Sequence, residues 1–364
     1  MSKPKYKIHH SFKLNGTNYD RSQLRKVAYS FIKEGLPFEE RVGNFLLDWL
    51  NDDYSDIKVR TSGSTGSPKP IFIDKQRMVN SAIATGKHFK LDEGTKALMC
   101  LPAKHIGGMM MLIRAMTLGW HLDIIKPASN PLDNVYKTYD FCAMTPFQLD
   151  NSLNRLHLIK KLIVGGGHIS ENLKMMVQGI PTKVYETFGM TETVSHIAAR
   201  KINNRKSGKL ETGPFKALPK VSVSADEHNR LIIKAPQLLD DPILTNDVVE
   251  IESYKKFFWK GRFDNVINSG GVKIHPEEVE KKLQKLITQR FFLSGMEDDA
   301  LGEKVVLFVE MPFSEDLLSD LKEAIDNLKG LGKYEKPKKI YFVEKFEETA
   351  NGKVSRERTI SAQV

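Results

Sequence analysis

The sequence predicts an α/β protein with two domains, a large N-terminal domain of mixed β-sheets and helices and a small α+β domain at the C-terminus. The chain has 364 residues, of which 40% are hydrophobic and 27% charged, and this suits one large core with a smaller satellite. Short β-rich runs alternate with helical patterns through most of its length, which is typical of an α/β fold. No internal repeat or low-complexity linker interrupts the alternation.

Strands of the large domain are predicted where aliphatic residues form short runs, at 57–59, 71–73, 97–101, 161–164 and 231–233. The longest apolar stretch, Ile106 to Met116, includes Arg114 and is shorter than the ~20 residues that a membrane-spanning helix needs. Cys100 and Cys142 lie far apart in apolar runs without metal-ligand spacing, so both are expected to be buried free thiols.

The small domain is predicted to begin near Gly261 and Arg262, so that the two domains cover residues 1–261 and 262–364. Beyond this boundary Pro276 suits a first helical position, and Glu277 and Glu278 favour the N-terminus of that helix. The other predicted elements are strands at 266–267, 272–274, 305–309 and 340–343 and a helix capped by Ser314. Together they predict a compact α+β unit.

The formal net charge of +10 favours an anionic partner. Nucleic acid, an acidic membrane surface and polyanionic small molecules such as ATP and CoA all fit this charge. Lysine runs such as 281–282 and 336–339 lack the interleaved aromatic residues of a single-strand nucleic-acid platform, so ordinary solvated lysines are favoured there. Residues 1–14 lack the apolar centre of a secretory signal, so a cytoplasmic location is expected.

A run of hydroxyls and glycines lies between the first two predicted strands and comprises Thr61, Ser62, Gly63, Ser64, Thr65, Gly66, Ser67, Pro68 and Lys69. Glycines permit a tight backbone that turns several N–H groups towards one anion, and the hydroxyls and the lysine add donors and charge. Because Pro68 separates Gly66 from Lys69, the run is not a Walker A loop. A flexible surface hairpin is an equally good interpretation of the run by itself.

Two further segments have the composition of a ligand site. Gly165, Gly166 and Gly167 end the strand predicted at 161–164, where a flat ligand can approach the backbone, although a crowded turn before the helix begun by Ser170 also fits. Residues 185–193 then combine aromatic rings, a turn glycine, hydroxyls and carboxylates. One carboxylate together with phosphate oxygens suits Mg²⁺, whereas a core Phe188 and a solvated Glu192 are the alternative.

These segments occur in the order seen in the adenylate-forming superfamily, which the sequence resembles from about residue 57 to the C-terminus. The motifs are the hydroxyl loop, Phe-Gly-Met-Thr-Glu at 188–192, Thr-Asn-Asp at 245–247, Gly-Arg-Phe-Asp at 261–264 with Ser-Gly-Gly at 269–271, and Asn-Gly-Lys at 351–353. Within the superfamily the sequence resembles the o-succinylbenzoate-CoA ligases of menaquinone synthesis. The narrower resemblance rests on the short chain, on residues 188–196, and on Leu101-Pro102 followed by His105-Ile106-Gly107-Gly108.

The resemblance implies an ATP-dependent acid-CoA ligase that forms an acyl-adenylate and then a CoA thioester, releasing AMP and pyrophosphate. It implies that residues 61–69 hold the ATP phosphates and that Gly165, Gly166, Gly167, Thr187 and Phe188 sandwich adenine. Thr191 would contact the α-phosphate, Glu192 would bind Mg²⁺, and Asp247 and Arg262 would bind the ribose hydroxyls.

The resemblance also assigns roles to the predicted small domain. Asp264 would be the hinge, Lys353 would bridge the reacting carboxylate and the α-phosphate, and Ser269, Gly270 and Gly271 would line the pantetheine passage after the domain rotates. For the acid, His105, Ser195 and His196 are the candidate donors to the second carboxylate of o-succinylbenzoate, with satisfied core histidines as the alternative.

The sequence departs from the superfamily pattern in several places. Asn246 replaces the usual glycine before the ribose aspartate, Phe188 replaces the usual tyrosine, and residues 347–350 lack a proline. About sixty residues precede the hydroxyl loop, so much of the usual N-terminal subdomain is expected to be absent. A ligase for another aryl or fatty acid and a non-catalytic binding protein that kept the fold stay open at this point, as does the oligomeric state.

Overall fold

The structure is a computed structural model that describes residues 6–60, 70–203, 213–348 and 354–363. Its described α-helices are α1 Arg21–Lys33, α2 Pro37–Leu50, α3 Lys75–Phe89, α4 Ile106–Leu118, α5 Pro146–Asn151, α6 Glu171–Met176, α7 Pro276–Leu283, α8 Glu315–Asn327 and α9 Arg356–Ser361. Short 3₁₀ helices cover Leu153–Leu158 and Phe263–Asn265.

The strands of the described residues fall into two larger sheets and one hairpin. They are β1 Lys13–Leu14, β2 Thr17–Asn18, β3 Asp56–Arg60, β4 Pro70–Asp74, β5 Lys96–Met99, β6 His121–Ile124, β7 Tyr139–Met144, β8 Ile159–Val164, β9 Lys183–Gly189, β10 His196–Lys201, β11 Phe215–Ala217, β12 Ser222–Ala225, β13 Arg230–Lys234, β14 Ile243–Ser253, β15 Lys256–Arg262, β16 Ile267–Ser269, β17 Val272–Ile274, β18 Phe291–Asp298, β19 Gly302–Glu310 and β20 Lys339–Val343.

The larger sheet has thirteen strands in the order β12-β13-β14-β15-β11-β10-β9-β8-β7-β5-β6-β1-β2. Strands β6, β5, β7, β8 and β9 run parallel to their neighbours, whereas β10 pairs antiparallel with β9 and starts the antiparallel part. The predicted mixed sheet is therefore confirmed. The carboxyl ends of β8 and β9 lie side by side, since Val164 is in register with Glu186.

Both faces of the parallel strands are buried. Along β5 and β7, Ala97, Met99, Phe141 and Ala143 join one apolar cluster, and the alternate residues Leu98, Cys100, Cys142 and Met144 join another. Because side chains alternate across a strand, each face of the sheet has its own core. Cys100 and Cys142 are buried free thiols as predicted, with their sulfur atoms 3.8 Å apart.

A second sheet has five strands, with β17, β16, β19 and β18 in order and β20 parallel to β19. Its helices begin as the sequence predicts. Pro276 starts α7 with Glu277 and Glu278 in the first turn, and the Ser314 hydroxyl accepts a hydrogen bond from the Leu317 N–H at the start of α8. Strand β15, the last in the chain to join the larger sheet, ends at Arg262, next to the predicted boundary. Strand β18 has no counterpart among the strands predicted from the sequence.

The N-terminal segment covers one end of the larger sheet. Strand β1 runs parallel to β6, and α1 begins at an Asp20 cap whose carboxylate accepts from the Gln23 N–H. Helices α1 and α2 pack against each other. No described helix is long and apolar enough to cross a membrane.

Candidate active site

The glycine turn after β8 lies against the end of β9. The Thr187 hydroxyl donates to the Val164 carbonyl at 3.0 Å, and a Cβ added to Gly165 would stand 2.4 Å from that hydroxyl oxygen. The structure thus brings together Gly165 and Thr187, two residues predicted to border adenine. Phe188, the next predicted residue, is half-buried against the core rings of Phe215 and Phe257, with centroids 5.7 and 5.3 Å away.

The turn between β9 and β10 carries Thr191 and Glu192. Its shape is fixed by Thr193, whose buried hydroxyl accepts from the Met190 N–H at 3.0 Å and lies 2.9 Å from the Ser195 carbonyl. Val194 has a φ of +68°, which a β-branched residue adopts only when its surroundings impose it. Glu192 projects from this turn as an exposed carboxylate without a hydrogen-bond or ion-pair partner among the described residues. Such a free carboxylate fits a Mg²⁺ ion that keeps most of its water.

The two predicted ribose ligands are neighbours on β14 and β15. Asp247 is in register with Arg262, and a guanidinium nitrogen of Arg262 lies 3.8 Å from Oδ1 of the buried Asp247. The hinge candidate Asp264 is exposed beside them, 3.6 Å from the Arg262 guanidinium. The Asn246 amide, which stands where the superfamily usually has glycine, donates to the Asp264 carboxylate at 3.0 Å.

A buried arginine forms the centre of a polar cluster beside this turn. Arg114 on α4 is 2% exposed, and its Nη2 donates to the Ser195 hydroxyl at 2.8 Å and lies 3.5 Å from His196 Nδ1. No carboxylate of the described residues lies within ion-pair distance of this guanidinium. Its other described contact is Met111 Sδ, 3.8 Å from Nη1, and its Nε atom has no partner there. Burial lowers the pKa of Arg114 to about 9.

His196 is neutral in this cluster. Burial lowers its pKa well below the usual range, and the positive charge of Arg114 lowers it further. Because Nδ1 faces the Arg114 donor, the imidazole proton is placed on Nε2, which is buried without a partner among the described residues. Phe89 packs beside this ring, with centroids 5.9 Å apart, and Tyr185 packs against Phe89 at 5.1 Å. The cluster therefore combines unsatisfied donors with neighbouring aromatic side chains.

His105 lies elsewhere. It is exposed at the N-cap of α4, nine residues before Arg114, which corresponds to roughly 13 Å along a helix. No hydrogen bond among the described residues joins it to Ser195 or His196. In the sequence, Arg114 stands out only as an interruption of an apolar run. The signal that identifies it is a lone cation on a helix whose turns are otherwise apolar.

The Ser-Gly-Gly turn joins β16 to β17. Ser269 is buried, and Gly270 and Gly271 form an exposed two-residue turn with φ values of +59° and +80°. This is the hairpin geometry in which glycine is favoured at both positions. The pantetheine role of these residues stays a prediction.

Two predicted segments lie outside the described residues, namely the hydroxyl loop at 61–69 and Lys353. The residues that flank the second segment are anchored. Glu348 and Val354 form an antiparallel bridge, and Arg356 pairs with Glu280 at 3.0 Å.

The fold and the glycine-lined turn define an AMP-binding enzyme. The family of AMP-binding enzymes matches residues 60–229, which include the turn after β8 and the β9–β10 hairpin. A crystal structure of an acyl-CoA synthetase (AMP-forming)/AMP-acid ligase II-like protein from Dyadobacter fermentans is 34% identical, with a TM-score of 0.61. The similarity covers 93% of this chain and 98% of that one. The chain therefore belongs to the AMP-forming acyl-CoA synthetases, and the predicted acid-CoA ligase class is confirmed.

More specific similarity is seen with one branch of this family. The 2-succinylbenzoate–CoA ligase of Staphylococcus epidermidis is 26% identical over 389 residues, covering 93% of this chain and 80% of that protein. The structure of O-succinylbenzoate Coenzyme A Synthetase from Bacillus subtilis in complex with ATP and magnesium has a TM-score of 0.69 at 21% identity. The similarity covers 83% of this chain and 69% of that one, and it shows that the two proteins share a fold.

Proposed function

We propose that this ligase acts in the cytoplasm on o-succinylbenzoate, ATP and CoA, and forms o-succinylbenzoyl-CoA, AMP and pyrophosphate. The name of the Staphylococcus epidermidis relative supports the choice of acid. In this family the reaction has two steps, adenylation of a carboxylate and transfer of the acyl group to a thiol. The following residues of the chain would orient the acid and the nucleotide.

The observation that carries the choice of acid is Arg114. A buried guanidinium without a carboxylate partner is costly, so we infer that a ligand supplies the missing negative charge. o-Succinylbenzoate is a dicarboxylate, and one carboxylate stays ionised after the other is adenylated. Arg114, with Ser195 and the Nε2–H of His196, offers donors for that second carboxylate. A pocket for a simple fatty acid has no use for them.

The other residues of the predicted site would hold the nucleotide. The loop at 61–69 would hold the phosphates, and Gly165 to Gly167 with Thr187 and Phe188 would border adenine. Asp247 and Arg262 bind the ribose, and Thr191 faces the α-phosphate. Glu192 would hold Mg²⁺, and the ion would supply positive charge to neutralise the phosphates.

The two steps need two arrangements of the chain. Residues 1–261 form the adenylation domain, and residues 262–364 form a domain that turns at Asp264. In the first arrangement Lys353 lies between the reacting carboxylate and the α-phosphate, where it stabilises the charge that builds up in the transition state. In the second, Ser269 to Gly271 border the passage through which the thiol enters, since one site serves both steps only if a domain moves.

The test compares kcat/KM for o-succinylbenzoate and for 4-phenylbutyrate, a monocarboxylate of similar length, in the native chain and in Arg114→Met. We expect the native enzyme to prefer the dicarboxylate by up to ~10⁴-fold, because analogues without the charge leave its donors stranded. Arg114→Met should remove most of this preference and leave 4-phenylbutyrate nearly unaffected. Arg77→Met, which breaks only a surface pair with Asp240, is the control.

If Arg114→Met does not fold, Arg114→Lys, which keeps the positive charge, replaces it in the same comparison of kcat/KM. An equal preference of the native enzyme for both acids would overturn the choice of substrate. An ATP–pyrophosphate exchange assay across a panel of aryl and fatty acids then identifies the acid that is used.

A further inference from the structure

We propose that Trp259 positions the Asp247 carboxylate for the ribose hydroxyls of ATP, an inference that rests on the proposed nucleotide site. The indole Nε1–H donates to Asp247 Oδ1 at 2.9 Å. Trp259 lies on β15 and Asp247 on the neighbouring β14, and the Asp247 side chain is buried. In a buried site a hydrogen bond to an ionised group is short and strong, so this bond fixes the plane of the carboxylate.

The contacts of Asp247 leave one oxygen available. The indole N–H and the nearer Arg262 nitrogen both approach Oδ1, at 2.9 and 3.8 Å. The Asp247 N–H is engaged with the Thr245 hydroxyl. No described residue donates a hydrogen bond to Oδ2. A carboxylate held through one oxygen presents the other, and two neighbouring hydroxyls of a ribose are donors that match it.

The strand register explains why a tryptophan reaches this carboxylate. Asp247 faces Arg262 and Val248 faces Gly261, but Val249 then faces Trp259 because an irregularity separates the two pairs. In a regular ladder Val249 would face Lys260, and Trp259 would lie on the opposite surface of the sheet from Asp247. The bulge therefore brings the indole to the face of the sheet that carries Asp247 and Arg262, as bulges commonly re-aim side chains beside active sites.

Two neighbours lie beside the indole ring. His168, which directly follows the glycine turn, lies with its ring centroid 6.5 Å from that of Trp259. The Lys281 ammonium of α7 is 6.0 Å from the ring centroid. Phenylalanine can keep these ring contacts but has no N–H, so Trp259→Phe removes the bond to Asp247 selectively.

The experiment compares binding of AMP and of 2′,3′-dideoxy-AMP by calorimetry in the native chain, Trp259→Phe and Asp247→Asn. We expect Trp259→Phe to weaken AMP binding about 10-fold, the effect of losing one hydrogen bond to a charged group, and to leave dideoxy-AMP binding unchanged. In ATP–pyrophosphate exchange the KM for ATP should rise by a similar factor with little change in kcat. Trp120→Phe is the matched control, because the buried Trp120 Nε1 has no hydrogen-bond partner among the described residues.

The outcomes separate the inference from the site on which it rests. If the native enzyme binds AMP and dideoxy-AMP equally well, the ribose role of Asp247 is wrong. If Asp247→Asn loses the preference for AMP while Trp259→Phe retains it, the site stands and the role of Trp259 is overturned. If Trp259→Phe binds AMP and dideoxy-AMP more weakly by the same factor, the role of Trp259 is also overturned, since that result indicates general damage to the site. If Trp259→Phe does not fold, replacing Trp259 by β-(3-benzothienyl)alanine keeps the ring shape without the N–H and gives the same comparison.

Discussion

The hydroxyl of Thr187 occupies the space that a side chain on Gly165 would need. A Cβ at Gly165 would stand 2.4 Å from Thr187 Oγ1, and this oxygen is tied to the Val164 carbonyl at 3.0 Å. The ends of two adjacent parallel strands are therefore packed as closely as glycine allows. A planar ligand at this turn can contact the backbone directly, because glycine has no side chain, and the close packing holds that backbone in place.

Gly165→Ala is expected to weaken ATP binding and to destabilise the fold by ~1–3 kcal/mol, because the methyl group forces Thr187 or the turn to move. Thermal unfolding and the KM for ATP in pyrophosphate exchange measure the two effects. Gly332→Ala is the control, since its added Cβ would meet Glu335 at an ordinary 3.5 Å and Gly332 is outside the proposed nucleotide site. Adding Thr187→Ala to Gly165→Ala should recover the lost stability. An unchanged Gly165→Ala variant would contradict the predicted clash.

The pH dependence of stability should report the burial of neutral His196. The pKa of His196 is lowered in the folded chain, first by burial and then by Arg114 and His88. Below pH 6.5, about the pKa of histidine in an unfolded chain, His196 binds a proton in the unfolded chain but stays neutral in the folded one. The free energy of unfolding therefore has its full value above that pH and falls as the pH is lowered, by at most ~1.4 kcal/mol per pH unit.

His196→Gln removes this proton uptake, so its free energy of unfolding should fall less steeply than that of the native chain as the pH is lowered from 6.5. Denaturant unfolding at several pH values measures both slopes. The exposed His157 provides the control, and His157→Gln should keep the native slope. Parallel curves for the native chain and His196→Gln would show that His196 does titrate in the folded state.

The sequence predicted the elements whose signals are local. Pro276 with two following glutamates starts a helix, Ser314 caps one, and short aliphatic runs form the strands of both sheets. Gly165 and Thr187 were assigned to one site from the order of motifs, and the parallel register of β8 and β9 brings them together. The cluster of Arg114, Ser195 and His196 was only partly foreseen, because α4 and the β9–β10 turn meet only in the folded chain.

The contact between Trp259 and Asp247 could not be predicted from the sequence for a different reason. A pattern of alternating residues assumes a regular ladder, and a single register shift reverses which side chains share a face. His105 was assigned to the acid site through the resemblance. It lies at the N-cap of α4, roughly 13 Å along the helix from Arg114, and its contact with the acid stays a prediction.

Lys353→Ala is expected to slow acid-dependent ATP–pyrophosphate exchange by ~10²- to 10³-fold, the typical effect of removing one preorganised donor to a transition state. ATP binding should stay nearly unchanged. The variant should still transfer the acyl group from a pre-made adenylate to CoA, since Lys353 has then left the site. Exposed Lys345 lies on the same stretch of chain, and Lys345→Ala is the matched control. Native exchange rates in Lys353→Ala would refute the role of this lysine.

Gly271→Leu should spare adenylation and block thioester formation, because a bulky side chain at the exposed β16–β17 turn would fill the passage proposed for pantetheine. Gly271 has a φ of +80° with no atom within 4 Å of an added Cβ, so the substitution brings backbone strain but no clash in the present arrangement. Gly330, with a φ of +93° and equally open surroundings, carries the same strain without the proposed contact.

The two half-reactions are measured separately, as pyrophosphate exchange and as CoA thioester formation from a pre-made adenylate. We expect Gly271→Leu to lose thioester formation by ~10²-fold or more, as misplacement of a reacting group commonly does, while Gly330→Leu keeps both activities. Equal loss of both half-reactions in Gly271→Leu would assign the turn to folding or nucleotide binding. Full thioester formation would remove the turn from the path of the thiol.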